Sequence, residues 1–296
     1  MAQKRLKIEV TPSLKRLDLI TKGLVNTRFI GNYASAFKGR GLEFASYRVY
    51  TPNDDASLID WTASSRARKL LVKEFVEERN LNIVFIVDVS SKMMLGSVKK
   101  LKAEYAAEMV ASLSHTILQA GDFVGLTMFS DKVVKRVAPS NGMKHFHVIS
   151  DNLSNLSFYG GNANIKKALD YTLKNFQQGS LVIFISDFIT EENFSQELKF
   201  VAQKFDFIGV MVRDPVDVKL PSGQGQVLVE DASTGERILF QPSEISKLYS
   251  REAKKQISKL NRVFRDSGAD FLELYTNKSF VEELVMFFNK RKLEWK

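Results

Sequence analysis

Two aspartates end two apolar stretches of the sequence, and a glycine-rich segment lies between them. Asp88 ends the run IVFIVD, Asp187 ends LVIFISD, and residues 159–165 read YGGNANI. Loops that follow parallel strands meet at the carboxyl edge of a sheet, where ligands bind. Oxygen ligands there would suit a hard cation such as magnesium, which takes few carboxylates and keeps several waters. The alternative, left open by the spacing, is that each aspartate caps the loop or helix after its strand.

The composition limits the kinds of chemistry that the chain can perform. The 296 residues are 44% hydrophobic and 26% charged, as in a globular protein with one large core or two unequal ones. The absence of cysteine excludes disulfides, thiolate zinc sites and cysteine nucleophiles. With three histidines we find no Ser-His triad, and no GxxxxGK[ST] motif for ATP occurs.

The beginning of the sequence and its apolar runs bear on location. The opening MAQKRLKIEV is charged where a signal peptide would be apolar. No apolar run approaches the ~20 residues needed to cross a bilayer. We therefore expect a cytoplasmic protein with no membrane span.

Positive charge is concentrated in the first part of the chain. The net charge is +9, and residues 1–80 contain 15 basic and 9 acidic residues. This excess favours either a nucleic-acid or other anionic partner, or simply a solvated, lysine-rich surface. Charge alone does not distinguish the two.

Strands and helices are predicted to alternate from residue 81 onwards, which indicates an open α/β sheet with helices on both faces. We expect two domains: a small, basic, partly β N-terminal subdomain (1–80) and the α/β domain (81–296). Thr11-Pro12 marks a helix start in the subdomain, residues 69–78 form a strand, and Trp61 is interpreted as a core anchor. The elements predicted for the α/β domain are strands at 83–88, 123–129, 132–137 (an edge strand), 181–187, 205–214 and 269–276, helices at 97–119, 164–176, 191–205 and 246–267, a final helix to Arg291, and a hairpin at 225–240 around Thr234-Gly235.

Two sets of motifs resemble known families. The succession DVSSKM, GGNANI and ISD resembles the metal-ion-dependent adhesion site of von Willebrand factor A domains. Over nearly the whole chain, GRGLEF, IDW, LVKEF, VRDP and the D-x-x-T-G-E at 231–236 resemble the domain of unknown function 58 family, in that order. The resemblance implies a von Willebrand A-like fold: a Rossmann-type, open, mostly parallel sheet preceded by a subdomain.

The resemblance also implies a degenerate metal site. Asp88 and Ser90 match the first two ligands and Asp187 the last, but Lys92 replaces the second serine. The threonine position falls on Asn162 or Ala163. Our hypothesis is that Lys92 occupies the cation position of a metal-free relic. The rival is a weakened magnesium site held by Asp88, Ser90 and Asp187, with Asn162 as a further candidate ligand.

The function that the resemblance implies is interaction rather than catalysis. Members of this family are typically encoded beside MoxR-type AAA+ ATPases, which implies a non-enzymatic partner of such an ATPase or of its client in chaperone-like maturation or assembly. The contact would involve the rim around Lys92, Gly160, Gly161 and Asn164. The alternatives are a nucleic-acid-associated protein that uses residues 1–80 and, more weakly, a magnesium-dependent hydrolase, for which we find no base, nucleophile or phosphate cradle.

Overall fold

A computed structural model describes residues 6, 42–52, 54–77, 81–220, 225–230 and 237–294. The chain divides into a larger unit, residues 1–24 with 81–294, and a smaller unit, residues 25–80. Of the first 24 residues only Leu6 is described, and it belongs to the larger unit. Leu6 is buried in the larger unit, where its backbone N–H donates to the carbonyl of Ser154 at 2.9 Å. The helix predicted after Thr11-Pro12 lies outside the described residues.

The smaller unit contains an antiparallel strand pair and a short helix. Asp60 caps that helix, because its Oδ1 accepts from the backbone N–H groups of Thr62 and Ala63, both at 3.0 Å. Its Oδ2 accepts from the hydroxyl of Tyr47 at 2.9 Å. The prediction that Trp61 anchors the core is wrong, because its side chain is 68% exposed at the first turn of the helix. The elements are β1 (Leu42–Val49), α1 (Trp61–Ala67) and β2 (Leu71–Glu77).

The larger unit is built on a six-stranded sheet. The strand order is β10-β7-β6-β3-β4-β5, in which β5 is an antiparallel edge strand and the other neighbours run parallel. Runs such as IVFIV are apolar throughout because both faces of the sheet are covered. The strands are β3 (Asn82–Asp88), β4 (Phe123–Phe129), β5 (Val133–Ser140), β6 (Leu181–Ser186), β7 (Asp206–Arg213) and β10 (Asp270–Tyr275), with a separate antiparallel pair, β8 (Val227–Glu230) and β9 (Arg237–Phe240).

Helices cover both faces of this sheet. Strand β3 shows the division, because Phe85 and Val87 pack into one core and Val84 and Ile86 into the other. The helices on the face of Phe85 and Val87 are α2 (Lys102–Gln119), α3 (Met143–Ser154) and α7 (Phe280–Glu294). Those on the face of Val84 and Ile86 are α4 (Ile165–Asn175), α5 (Ser195–Lys204) and α6 (Pro242–Asp266). Each helix among the described residues is too short or too polar to cross a membrane.

Most predicted elements are confirmed, and the main difference concerns the start of α2. This helix was predicted from Ser97 but begins at Lys102, because the backbone N–H and hydroxyl of Ser97 bind Asp214 instead. Helix α6 begins four residues before the predicted 246, with Pro242 at its first position. The hairpin of β8 and β9 is confirmed, whereas its predicted turn at Thr234-Gly235 lies outside the described residues.

Candidate functional site

The two predicted aspartates, Asp88 and Asp187, meet at the carboxyl edge of the sheet. Strands β3 and β6 are parallel neighbours, so their ends bring Asp88 beside Ser186 and Asp187. The Oδ2 of Asp88 accepts a hydrogen bond of 2.6 Å from the hydroxyl of Ser186, and its Oδ1 accepts one of 2.8 Å from the backbone N–H of Ser90. Asp88, Ser90 and Asp187 are all buried. Neither carboxylate is accessible to a substrate.

A lysine that the sequence did not single out supplies the positive charge at this edge. Lys102, the first residue of α2, is only 1% exposed. Its Nζ lies 2.8 Å from Oδ2 of Asp187 and 3.3 Å from Oδ2 of Asp217. The other oxygen of Asp187 accepts from the backbone N–H of Ile189 at 3.0 Å. Lys102 therefore forms a buried ion triad with two carboxylates from different loops.

The charges in this cluster shift one another's pKa. Burial and then the negative charge of Asp187 raise the pKa of Asp88 to about 6, against the opposing effect of the hydrogen bonds from Ser186 and Ser90. Burial alone would lower the pKa of Lys102, but Asp187 and Asp217 outweigh it and the pKa is raised. The ammonium is therefore charged at neutral pH.

The hydrogen bond that Lys92 makes goes to a backbone carbonyl rather than to Asp88 or Asp187. Lys92 is half-buried in a single 3-10 turn, Ser91–Met94, and its Nζ donates to the backbone carbonyl of Ile189 at 3.1 Å. Lys102 makes the contact with Asp187 because it starts a helix that packs on the sheet. The sequence carries no signal that selects this lysine: Lys102, Ala106 and Met109 follow helical spacing, but so do Lys99, Ala103 and Ala106.

The glycine-rich segment fastens the neighbouring loops together. The N–H of Gly160 donates to the carbonyl of Val89 at 2.8 Å, and the carbonyl of Gly161 accepts from Ser91 at 2.9 Å. Gly161 has a φ of +76°, which favours glycine. Asn164 caps α4, because its Oδ1 accepts from the N–H of Lys167 at 2.9 Å. These residues hold the rim in one shape.

The residues present do not fit a divalent cation. The oxygens of Asp88 accept from Ser90 and Ser186, and those of Asp187 accept from Ile189 and Lys102. Asn162 is exposed, unlike the buried aspartates. The hydroxyl of Ser90 is one of several buried side-chain groups that have no hydrogen-bond partner among the described residues. Within the same part of the chain, no group of three or more His, Cys, Asp or Glu residues could hold a metal ion.

A further buried carboxylate, that of Asp214, fixes the segment between β3 and α2. Asp214, just after β7, accepts hydrogen bonds from the backbone N–H of Ser97 at 2.8 Å, from the hydroxyl of Ser97 and from the hydroxyl of Thr276 at 3.2 Å. Burial would raise the pKa of Asp214, but the hydrogen bonds, first that of the Ser97 hydroxyl, lower it overall. On either side of the anchored Ser97, Leu95 and Val98 are each 37% exposed. The rim thus presents apolar side chains on a fixed backbone.

These features define the class of the larger unit. A sheet with five parallel strands, one antiparallel edge strand and an aspartate-serine cluster after its first strand is that of a von Willebrand A-like α/β domain. The chain belongs to the family described as "Protein of unknown function DUF58", whose model matches residues 46–259.

Individual relatives and solved structures share low sequence identity with this chain. The chain is 24% identical over 288 residues to the "Uncharacterized protein Rv1480" of Mycobacterium tuberculosis, covering 96% of this chain and 90% of that protein. The conserved hypothetical protein BatB from Bacteroides thetaiotaomicron matches with 15% identity and a TM-score of 0.48, covering 71% of this chain and all of that one. The SpRpn10 VWA domain matches with 11% identity and a TM-score of 0.37, over 70% and 94% of the chains.

Proposed function

We propose that this protein is a non-enzymatic interaction module that binds a MoxR-type AAA+ ATPase, or the client of such an ATPase, through the rim at the carboxyl edge of its sheet. The observation that carries the proposal is the fixed, exposed segment around Leu95 and Val98. Its backbone is anchored by Asp214, so a partner can bind it with little loss of conformational entropy.

The buried cluster beneath the rim supports interaction rather than catalysis. Asp88 and Asp187 are shielded from solvent and hydrogen-bonded, so they maintain the shape of the loops instead of transferring protons to a substrate.

We propose that Lys102 takes the place of a metal ion in this cluster. Partner binding is then independent of magnesium, and calorimetric titration of the protein with Mg²⁺ gives no binding heat.

Binding to the ATPase can be measured with purified components. The MoxR-type ATPase of the same organism is immobilised, and binding is followed by biolayer interferometry with and without ATP. The double variant Leu95→Arg/Val98→Glu should weaken binding at least about tenfold, since apolar interface anchors cost on the order of 1–2 kcal/mol or more when lost.

The chain offers a matched control for that variant. Met143 and Val148 on α3 are 40% and 45% exposed, so Met143→Arg/Val148→Glu makes the same replacements at similar exposure elsewhere. This control should bind like the wild type. If the wild type does not bind the ATPase, or if both variants lose affinity equally, the rim is not the binding surface.

A further inference from the structure

Helix α6 carries a row of cations that the proposed function does not use. The helix has seven basic and three acidic residues, and between positions 247 and 262 the only acidic residue is Glu252. At 100° per residue, the cations of that interval fall within one arc of the helix surface. They form the basic face of α6: Lys247, Arg251, Lys254, Lys255, Lys259 and Arg262.

The opposite face of α6 holds the helix firmly in place. Leu260 and Phe264 are buried in the core on one face of the sheet, and Ala253 is also buried. Gln256 accepts a hydrogen bond of 2.7 Å from the buried guanidinium of Arg213 at the end of β7. The helix cannot rotate to relieve the concentration of charge, so the basic face is a fixed feature of the surface.

The cations of this face are exposed and mostly without a counter-charge. Among the described residues, only Lys255 of the six has an ion pair, with Glu252 at 2.6 Å. The face lines a groove of about 1030 Å³, to which Lys219 adds a further cation, Ser250 and Ser258 add hydroxyls, and Asp266 adds one carboxylate. At 1.5 Å per residue, the cations from Lys247 to Arg262 extend over about 23 Å of the helix. Such a row of positive charge is suited to a polyanion.

The chemistry of the face favours phosphate over other anionic partners. Protein interfaces depend on buried aromatic and apolar anchors and are depleted in lysine, whereas the exposed large apolar side chains of α6 among the described residues are only Ile245 and Leu248. A helix that lies in a membrane surface inserts an apolar face, and that of α6 is already used in the core. Lysine, arginine and serine are among the residues that contact nucleic-acid phosphates.

We propose that the basic face of α6 binds the phosphate backbone of a nucleic acid without reading its sequence. This moves the nucleic-acid hypothesis from residues 1–80 to α6. If all six cations each contact one phosphate of a duplex, the logarithm of the binding constant should fall with the logarithm of salt concentration with a slope of about −5.

Fluorescence anisotropy with a labelled 24-base-pair DNA duplex of random sequence, at 50–300 mM NaCl, tests the proposal. The variant Arg251→Glu/Lys259→Glu/Arg262→Glu should bind about 10²-fold or more weakly at 0.1 M salt and have a slope smaller by about 2.7. Glutamate favours helix, so α6 is retained, and circular dichroism checks this.

The matched control is Lys132→Glu/Lys144→Glu/Lys199→Glu, which changes the total charge equally at exposed positions outside α6. It should retain wild-type affinity at each salt concentration apart from a small non-specific effect. Equal losses in both variants, or no wild-type binding at 50 mM NaCl, overturn the proposal. So does binding of phosphatidylserine vesicles or of a poly-glutamate peptide by the basic face in the absence of duplex binding.

Discussion

Replacing Lys102 by methionine removes the charge of the buried triad while keeping most of the side-chain volume. Two carboxylates lie 2.8 and 3.3 Å from the ammonium that is lost, and Lys102 and Asp187 are almost completely buried. Removing one partner of a buried ion pair leaves the other charge uncompensated, which costs about 3–5 kcal/mol. We expect Lys102→Met to lower the free energy of unfolding by this amount.

Urea denaturation at pH 7 measures this loss. Tryptophan fluorescence is unsuitable for the larger unit, since one of the two tryptophans, Trp61, lies in the smaller unit and Trp295 lies outside the described residues. Circular dichroism at helical wavelengths is preferable because six of the seven described helices belong to the larger unit. The double variant Lys102→Met/Asp187→Asn should be more stable than Lys102→Met alone, because the unpaired charge of Asp187 is also removed.

Lys92→Met is the matched control for Lys102→Met. Lys92 is half-buried and donates to one neutral carbonyl, so its loss should cost less, about 1–2 kcal/mol. If Lys102→Met costs as little as Lys92→Met, the ammonium of Lys102 is not compensating the carboxylates and the reasoning fails. The same conclusion follows if Asp187→Asn worsens the Lys102→Met variant.

Three further changes test other parts of the structure. Asp214→Asn weakens the bonds to Ser97 and should destabilise the protein by about 1–3 kcal/mol. Because the pKa of Asp214 is lowered in the folded state, the difference in unfolding free energy between wild type and variant should be constant above pH ~4, the pKa of an unfolded aspartate. It should shrink as the pH falls below that value, which urea titrations at several pH values will show. Gly209→Ala places a Cβ 2.2 Å from the ring of the buried Phe264 and should cost about 1–3 kcal/mol in the same assay; a neutral result would mean that the ring yields. Trp61→Ala should change the melting temperature little, because a substitution at this exposed side chain is worth within about 0.5 kcal/mol.

The α/β fold was predictable from the sequence because each buried strand is marked by its composition. Runs such as those at 83–88 and 181–187 are apolar on both faces, and the segments between them carry apolar residues at helical spacing. The start of α2 was not predictable, since Ser97 and Lys102 are both acceptable near a helix start. The choice depends on Asp214, which is 117 residues from Ser97 in the sequence.

The candidate site was predictable in its carboxylates but not in its cation. Strand ends fix where Asp88 and Asp187 lie, so their meeting followed from the fold alone. Residues 99, 100, 102 and 92 are all lysines, and only burial distinguishes them. The prediction that Trp61 is buried was wrong because it relied on the usual burial of large aromatic residues. Trp61 is instead the first residue of α1, directly after its cap Asp60, and is exposed.

The positive charge of Lys102 is joined to the chain by covalent bonds, unlike that of a bound ion. Its stoichiometry is fixed at one per molecule, and it cannot be extracted by a chelator, diluted away or exchanged for a competing ion. The nearly complete burial of the side chain also protects the amine from acylation while the domain stays folded. The carboxylates of Asp187 and Asp217 are therefore neutralised by a group of the protein itself.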